Sequence, residues 1–267
     1  MSGTVSLRPR TKFIHPVIKR MRCPAIILSF VIALAASVAQ GAVVQATAGM
    51  SIDGSEWSVP VGFNPELGLY GIGSWDSKID NFTGYQYLGE DGTKVNISGV
   101  LDPDPAISYT IGVTDFGAPS IFGFFFASPI VIGATPTTVD ASVVGGLTDF
   151  SGNGVAMAPT AAFLQISDVG PPSTNMGVNV GGPGGGGPGA PGALYGYGPF
   201  ADGPQPGPAG PWAILSVTVG FSLSGGQDSF ALTGFSQIVE VPEPSSVCML
   251  AIATVGLVFF ARRRRRG

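Results

Sequence analysis

Apolar and polar residues alternate along several short segments of this chain. From Leu215 to Leu223 every second residue is apolar, and Ser, Thr or Gly stands between them. The residues from Ile107 to Val113 alternate in the same way. A period of two places the apolar side chains on one face of a strand, so both segments predict half-buried strands of an antiparallel sheet.

Further short segments are rich in Val, Ile, Phe, Thr and Ser and are bounded by Gly, Pro, Asp or Asn, which is typical of strands. The predicted strands are Lys94–Val100, Ala106–Val113, Ile121–Phe126, Ala162–Ile166, Trp212–Leu223 and Phe230–Val241. No long stretch has helical periodicity. The sequence therefore predicts an all-β fold, a single antiparallel β-sandwich formed by residues 42–240.

Residues 170–211 interrupt this pattern because Gly and Pro dominate them, leaving Leu194, Tyr195, Tyr197 and Phe200 isolated. The segment lacks the strict triplet period of collagen. Its composition predicts a flexible, loosely ordered surface loop inserted into the sandwich. Strands on both sides can still pair across it, since the cost of closing a loop grows only logarithmically with its length.

Residues 50–87 have few clean alternations but many aromatic residues. These are Trp57, Phe63, Tyr70, Trp75, Phe82, Tyr85 and Tyr87. Two interpretations are open: the rings cap the core, which is the commoner fate of such side chains, or they form an exposed cluster that binds sugar rings.

The N-terminal residues have the pattern of a secretory signal peptide. Residues 1–22 carry six basic residues and no acid, and a run of small and apolar residues follows. Because this basic region is unusually long, we expect translation to start at Met21. Cleavage is expected after Ala39 or Gly41, with the region of Gly41 favoured. The predicted signal peptide therefore comprises residues 1–41.

The C-terminal segment, residues 241–267, combines three elements in a fixed order. It contains the stem Pro242, Glu243 and Pro244, a predicted membrane helix at 246–261 that is apolar from 247 to 261, and the basic cluster Arg262, Arg263, Arg264, Arg265 and Arg266. The prolines keep the stem extended. As a helix rising about 1.5 Å per residue, the apolar run comes close to spanning a bilayer when flanking arginines snorkel. Basic clusters stay cytoplasmic, so residues 42–240 are predicted to lie outside as an ectodomain.

The order of Pro-Glu-Pro, apolar helix and terminal arginines resembles the PEP-CTERM sorting signal of exported bacterial proteins. The resemblance implies that an exosortase, a membrane-embedded enzyme similar to cysteine transpeptidases, recognises Pro242, Glu243 and Pro244. It also implies passage through the general secretion machinery, a transient inner-membrane intermediate, and removal of the tail with release or attachment at the cell surface. The alternative is a plain C-terminal membrane anchor with an accidental Pro-Glu-Pro stem.

Without the two predicted terminal segments, the net charge of the chain is far more negative. Eleven of the 13 basic residues lie in residues 1–22 and in the arginine cluster, so residues 42–240 keep only Lys78 and Lys94. The same span holds 16 of the 17 acidic residues, which gives it a formal net charge of −14. Such a surface repels phosphate backbones, so nucleic acid is excluded as a partner.

The residue inventory argues against catalysis. His15, Cys23 and Cys248 are the only histidine and cysteines, all in segments predicted to be removed, and residues 42–240 contain no arginine. Ser-His-Asp and Cys-His nucleophiles and His or Cys zinc sites are therefore unavailable to the ectodomain. We expect no enzyme, no catalytic residue and no cofactor.

Carboxylates are the remaining candidates for chemistry. Asp102 and Asp104 flank a proline and are weak calcium candidates, because the segment lacks the third ligand and the glycine of a calcium loop. We therefore predict no metal site and interpret both residues as solvated turn positions.

Two classes of function follow. The first is a non-catalytic structural or interaction protein of the bacterial cell surface or extracellular matrix, associated with exopolysaccharide in a biofilm. The alternative is a secreted carbohydrate-binding module or, as a lesser variant, a carboxylate-based glycan hydrolase. A row of exposed Trp and Tyr residues on one sheet face favours sugar binding, whereas buried rings favour the structural role.

Overall fold

The computed structural model describes residues 45–241, which form strands and connecting turns with no helix. The strands are β1 (Thr47–Ile52), β2 (Ser55–Val59), β3 (Val61–Asn64), β4 (Leu69–Ile72), β5 (Trp75–Asp76), β6 (Asn81–Phe82), β7 (Tyr85–Leu88), β8 (Lys94–Asp102), β9 (Ala106–Asp115), β10 (Ser120–Ile132), β11 (Thr137–Asp149), β12 (Val155–Pro159), β13 (Gln165–Gly170), β14 (Thr174–Asn175), β15 (Gly184–Gly186), β16 (Ala193–Pro206), β17 (Trp212–Leu223) and β18 (Asp228–Glu240).

These strands form two eight-stranded antiparallel sheets and a small hairpin. The first sheet has the order β14-β13-β17-β10-β1-β2, with β12 beside β17 and β15 beside β12. The second has the order β16-β11-β18-β9-β8-β4-β3, with β7 also paired to β8. The hairpin consists of β5 and β6.

The predicted all-β antiparallel fold is confirmed for the described residues. β8, β9, β17 and β18 agree with predicted segments to within two residues at each end. β10 is longer than predicted: it continues past Pro129 to Ile132 through an irregularity in its pairing with β17. β13 begins three residues late, because the preceding Ala162 and Phe163 lie in an exposed bend.

The core lies between the two sheets, where alternation has placed the apolar side chains. Phe221 of β17 meets Phe230 of β18 edge to face, with ring centroids 5.0 Å apart. Phe126 of β10 stacks on Tyr109 of β9 at 4.9 Å. All four rings are buried. These contacts across the layers explain why the alternating segments form a sandwich.

A buried polar bridge also joins the two layers. The Tyr109 hydroxyl donates to Oε1 of Gln165 at 2.6 Å, and Nε2 of Gln165 donates to the Phe235 carbonyl at 2.9 Å. Tyr109 and Phe235 belong to the second sheet and Gln165 to the first. Because an unpaired buried amide is costly, this bridge favours one alignment of the sheets.

The structure corrects the expectation of a loosely ordered loop at residues 170–211. The segment contains β14, β15 and the 14-residue β16, which pairs along β11 at the edge of the second sheet. Met176, Val178, Val180 and Tyr197 from this segment are buried in the core. The division of the chain at residues 42 and 240 stays a prediction.

Two β-bulges explain how a Gly- and Pro-rich segment forms a strand. The register of β16 on β11 sets Gly198-Pro199 opposite Val144 and Gly203-Pro204 opposite Asp140, two residues against one. The glycines have φ values of 79° and 98°, a region that glycine adopts at little cost. A bulge leaves its extra residue outside the ladder, so the proline's missing N–H breaks no pairing.

Glycines in β15 make room for tyrosine rings of β16. The Tyr195 ring lies so close to Gly186 that a Cβ there would overlap it, and a Cβ at Gly184 would come within 2.7 Å of the Tyr197 ring. The two hydroxyls donate to the carbonyls of Gly187 at 2.6 Å and Gly182 at 2.7 Å. The absence of side chains thus permits close packing of this segment.

The aromatic residues between positions 50 and 87 mostly cap the core. Phe82 is buried, and four rings are partly buried against the core cluster: Trp57, Tyr70, Tyr85 and Tyr87. Phe63 is 49 % exposed and rests on Tyr70, with ring centroids 4.7 Å apart. Trp75 packs on Phe82 in the β5–β6 hairpin. Of the seven rings only Phe63 is exposed, so they do not form an exposed row.

Candidate functional site

A shallow groove of about 270 Å³ lies on the outward face of the second sheet. Its floor comes from β8, β9 and β18, where the residues next to inward-facing core residues point outward. Ser98, Ser108, Thr110 and Thr233 supply exposed hydroxyls from these strands. The hydroxyl oxygens of Thr110 and Thr233 lie 3.3 Å apart across the ladder.

The β5–β6 hairpin forms the wall of this groove through Asn81 and Phe82. The hairpin lies close to the sheet because Gly71 of β4 leaves space for the Phe82 ring, which a Cβ would overlap. Trp75 packs edge-on against that ring at 5.0 Å. The N–H of Ser74 donates to Thr83 Oγ1 at 3.0 Å, which ties the two strands of the hairpin together.

The groove presents hydrogen-bonding groups without formal charge. Hydroxyls donate and accept, and the Asn81 amide does both through separate atoms. Val100 and Phe82 add apolar surface beside them. The arrangement offers no nucleophile with an adjacent base, so its chemistry is suited to binding a neutral ligand with many hydroxyl groups.

A second feature is a row of buried carboxylates at the far end of the same sheet, on its inner side. Asp115 of β9 pairs directly with Asp228 of β18, and Asp149 of β11 follows Thr148, which pairs with Ser229. All three aspartates have no exposed surface. The row therefore closes the core with three carboxyl groups on neighbouring strands.

Loop groups stabilise the outer two members of this row. Asp149 accepts hydrogen bonds from the N–H of Gly152 at 2.6 Å, the N–H of Gly154 at 2.7 Å and the Ser151 hydroxyl at 3.1 Å. Burial acts to raise the pKa of Asp149, but these donors outweigh it and lower the pKa. At Asp115 burial dominates and raises the pKa despite donors from Gly117 and Ser120.

The central member, Asp228, is the least satisfied. Its Oδ2 accepts a short hydrogen bond from the Ser224 hydroxyl, and its buried Oδ1 has no partner. Burial raises the pKa of Asp228, the Ser224 hydroxyl opposes this, and the charge of Asp149 adds to the increase. Protonation of Asp228 therefore favours the folded state, whereas protonation of Asp149 opposes it.

The calcium candidates Asp102 and Asp104 lie at the turn between β8 and β9. The N–H of Asp104 donates to Oδ1 of Asp102 at 2.8 Å, as in an Asx turn. In residues 45–241 no group of three or more His, Cys, Asp or Glu residues is arranged to hold a metal ion. The structure brings these two residues together as a turn, and neither belongs to the lining of the groove.

The other predicted site residues lie outside the described residues. They are Ala39 and Gly41 of the signal-peptide cleavage region, Pro242, Glu243 and Pro244 of the sorting motif, and Arg262, Arg263, Arg264, Arg265 and Arg266 of the basic cluster. The predicted membrane helix at 246–261 also lies there. Within residues 45–241, no helix has the length and apolar character needed to cross a bilayer.

Sequence reasoning missed both the groove and the row of carboxylates. Outward Ser and Thr residues of a strand look the same whether they face bulk water or a hairpin. The row did leave a signal: Asp115 and Asp149 each occupy an inward position in the alternation of their strands. An acid at a position where apolar residues are expected marks a buried carboxylate.

Comparison with known proteins gives one firm result. A family model of the PEP-CTERM protein-sorting motif matches residues 240–266, which confirms the sorting signal predicted in the tail. No curated protein matches the chain. The solved structure of TmCBM61 in complex with β-1,4-galactotriose is 12 % identical, and the match covers 55 % of this chain and 88 % of that one. Its TM-score of 0.22 is too low to support an argument.

Proposed function

We propose that this protein is exported by a bacterium and sorted by an exosortase, which recognises Pro242, Glu243 and Pro244 and removes the tail. The observation that supports this is the sorting-motif match over residues 240–266. The mature ectodomain then acts at the cell surface or in the extracellular matrix, without catalysis, in association with exopolysaccharide. The general secretion machinery and the inner membrane are its partners in transit.

The positions of the first and last described strands are compatible with this route. Thr47 pairs with Ala127 of β10, and Gly133, just after β10, donates its N–H to the Glu240 carboxylate. Because β1 runs antiparallel to β10, the chain before Thr47 runs toward the end of β10 that lies beside Glu240. The N–H of Val241 donates to the Pro136 carbonyl at 2.8 Å, so the sorting motif starts directly after the fold.

The composition supports a role without catalysis. The described residues contain no His, Cys or Arg, and their acids outnumber their lysines 16 to 2. A strongly acidic domain stays soluble outside the cell. Its proposed contribution is a stable surface for interaction.

Replacing Pro242, Glu243 and Pro244 together by Ala in the native host tests this proposal. We expect the variant to accumulate in the membrane fraction with its tail intact, while the parent reaches the surface or the medium. Changing Ser245 and Ser246 to Ala is the matched control, because it alters the same tail outside the motif. A triple variant that fractionates like the parent would refute sorting through Pro-Glu-Pro.

A further inference from the structure

We propose that the groove lined by Asn81, Phe82, Ser98, Ser108, Thr110 and Thr233 is a binding site for a segment of uncharged polysaccharide. This inference rests on the proposed surface role and names the ligand class of that role.

The shape and lining of the groove fit one or two sugar rings. Its volume of about 270 Å³ is just below the roughly 300–1,000 Å³ of clefts that hold drug-sized ligands. Sugar hydroxyls both donate and accept hydrogen bonds, and so do the Ser, Thr and Asn groups of the lining. Val100 is partly exposed and gives the apolar C–H face of a sugar ring a surface to pack on.

The negative charge of the protein favours neutral over acidic polysaccharides as ligands. Tyr109 is the one ionisable residue of the lining, and its buried hydroxyl donates to Gln165, so the lining carries no formal charge. Across residues 45–241 the acids exceed the lysines by 14, so an acidic polymer is repelled before it reaches the groove. The ligand that fits is therefore a neutral glycan.

The same surface is poorly suited to a protein partner. Protein interfaces concentrate their binding energy in Trp, Tyr and Arg residues set in desolvated pockets. The exposed part of this groove is formed by short hydroxyl side chains, and its two aromatic residues are buried, with Phe82 9 % and Tyr109 2 % exposed. A polar chain that makes many weak hydrogen bonds matches this lining better.

Affinity electrophoresis of the full protein purified from its host tests the inference. Each gel contains one soluble polymer. Three are neutral, a glucan, a galactan and a mannan, and the fourth, polygalacturonate, is acidic. We expect at least one neutral polymer to retard the parent and polygalacturonate to have no effect. The double variant Thr110→Val and Thr233→Val removes two hydroxyls with little change of shape, and we expect it to weaken that retardation about tenfold.

The control is Thr148→Val, which changes an outward residue of β11 on the same sheet face away from the groove. It should bind like the parent, and thermal melts establish that both variants are folded. The inference is overturned if no neutral polymer retards the parent, if polygalacturonate binds as well, or if the double variant binds like the control. Such failures leave the sorting proposal intact, because that proposal is tested by fractionation of the tail variants.

Discussion

β17 and β16 are both long strands, yet only β17 could be read from the sequence. β17 is central, pairs with β10 and β13, and carries an alternating row of buried side chains. β16 is an edge strand of 14 residues, paired only with β11 and interrupted by two Gly-Pro bulges. Alternation reveals strands that are held by side-chain packing. A strand held mainly by main-chain pairing and a few ring contacts leaves no such pattern.

The largest expected loss of stability comes from a substitution in the part of the core that β17 supplies. Phe221→Ala removes a ring with no exposed surface that contacts Phe122, Phe124 and Phe230. We expect a loss of about 3–5 kcal/mol in the free energy of unfolding, measured by denaturant titration. Ser222→Ala, on the outward face of the same strand, removes only a hydroxyl that donates to the Ala158 carbonyl at 3.3 Å, so it should cost about 1 kcal/mol or less. Equal losses in both variants would contradict the assignment of the core.

Glycine substitutions test whether β15 and β16 are packed as described. Gly186→Ala should cost about 1–3 kcal/mol because the new Cβ overlaps the Tyr195 ring. Gly187→Ala is the matched control, since no atom lies within 4 Å of a Cβ there. Thermal unfolding of both variants measures the difference. If the two substitutions are equally harmless, this segment is the loose loop that composition suggested.

Tyr197→Phe tests how much one hydrogen bond contributes to holding β15 and β16 in place. The hydroxyl donates to the Gly182 carbonyl, and burial raises the pKa of Tyr197 to about 12, so it stays a donor at physiological pH. We expect a loss of about 1 kcal/mol and faster amide exchange around residue 182. Unchanged exchange there would show that the ring alone holds the segment.

Substitutions in the row of carboxylates should change stability least, and their effect should depend on pH. Because the pKa of Asp228 is raised on folding, its contribution favours the folded state at low pH and is lost as pH rises through that pKa. Asp228→Asn keeps an acceptor for Ser224 and removes the charge. We expect its Tm at pH 7 to exceed that of the parent by a few degrees at most, because the variant no longer buries a charge there.

The same comparison below the ordinary aspartate pKa of 3.8 should show no gain, because the parent carboxyl is then protonated as well. Asp149→Asn serves as the opposite case. Its pKa is lowered by loop N–H donors, so that variant should lose stability at neutral pH and approach the parent in acid. A gain at pH 7 for both variants would contradict the hydrogen bonding described for Asp149.

The sequence predicted the fold class and four of the central strands because their inward residues are apolar at every second position. It could not predict β16, because Gly-Pro pairs usually mark turns. Gly198-Pro199 and Gly203-Pro204 are compatible with a strand only as bulges opposite β11. The groove was also out of reach, because nothing local distinguishes Thr110 from any other outward threonine. The tail was predictable because the sorting motif is defined by short linear elements in a fixed order.

The most direct test of the proposed function is intact-mass and C-terminal peptide analysis of the protein recovered from the surface or the medium of its host. We predict a mature chain that ends within or near Pro242–Pro244 and lacks all five residues of the Arg262–Arg266 cluster. A surface or medium fraction that keeps the complete tail, including all five arginines, would contradict exosortase processing.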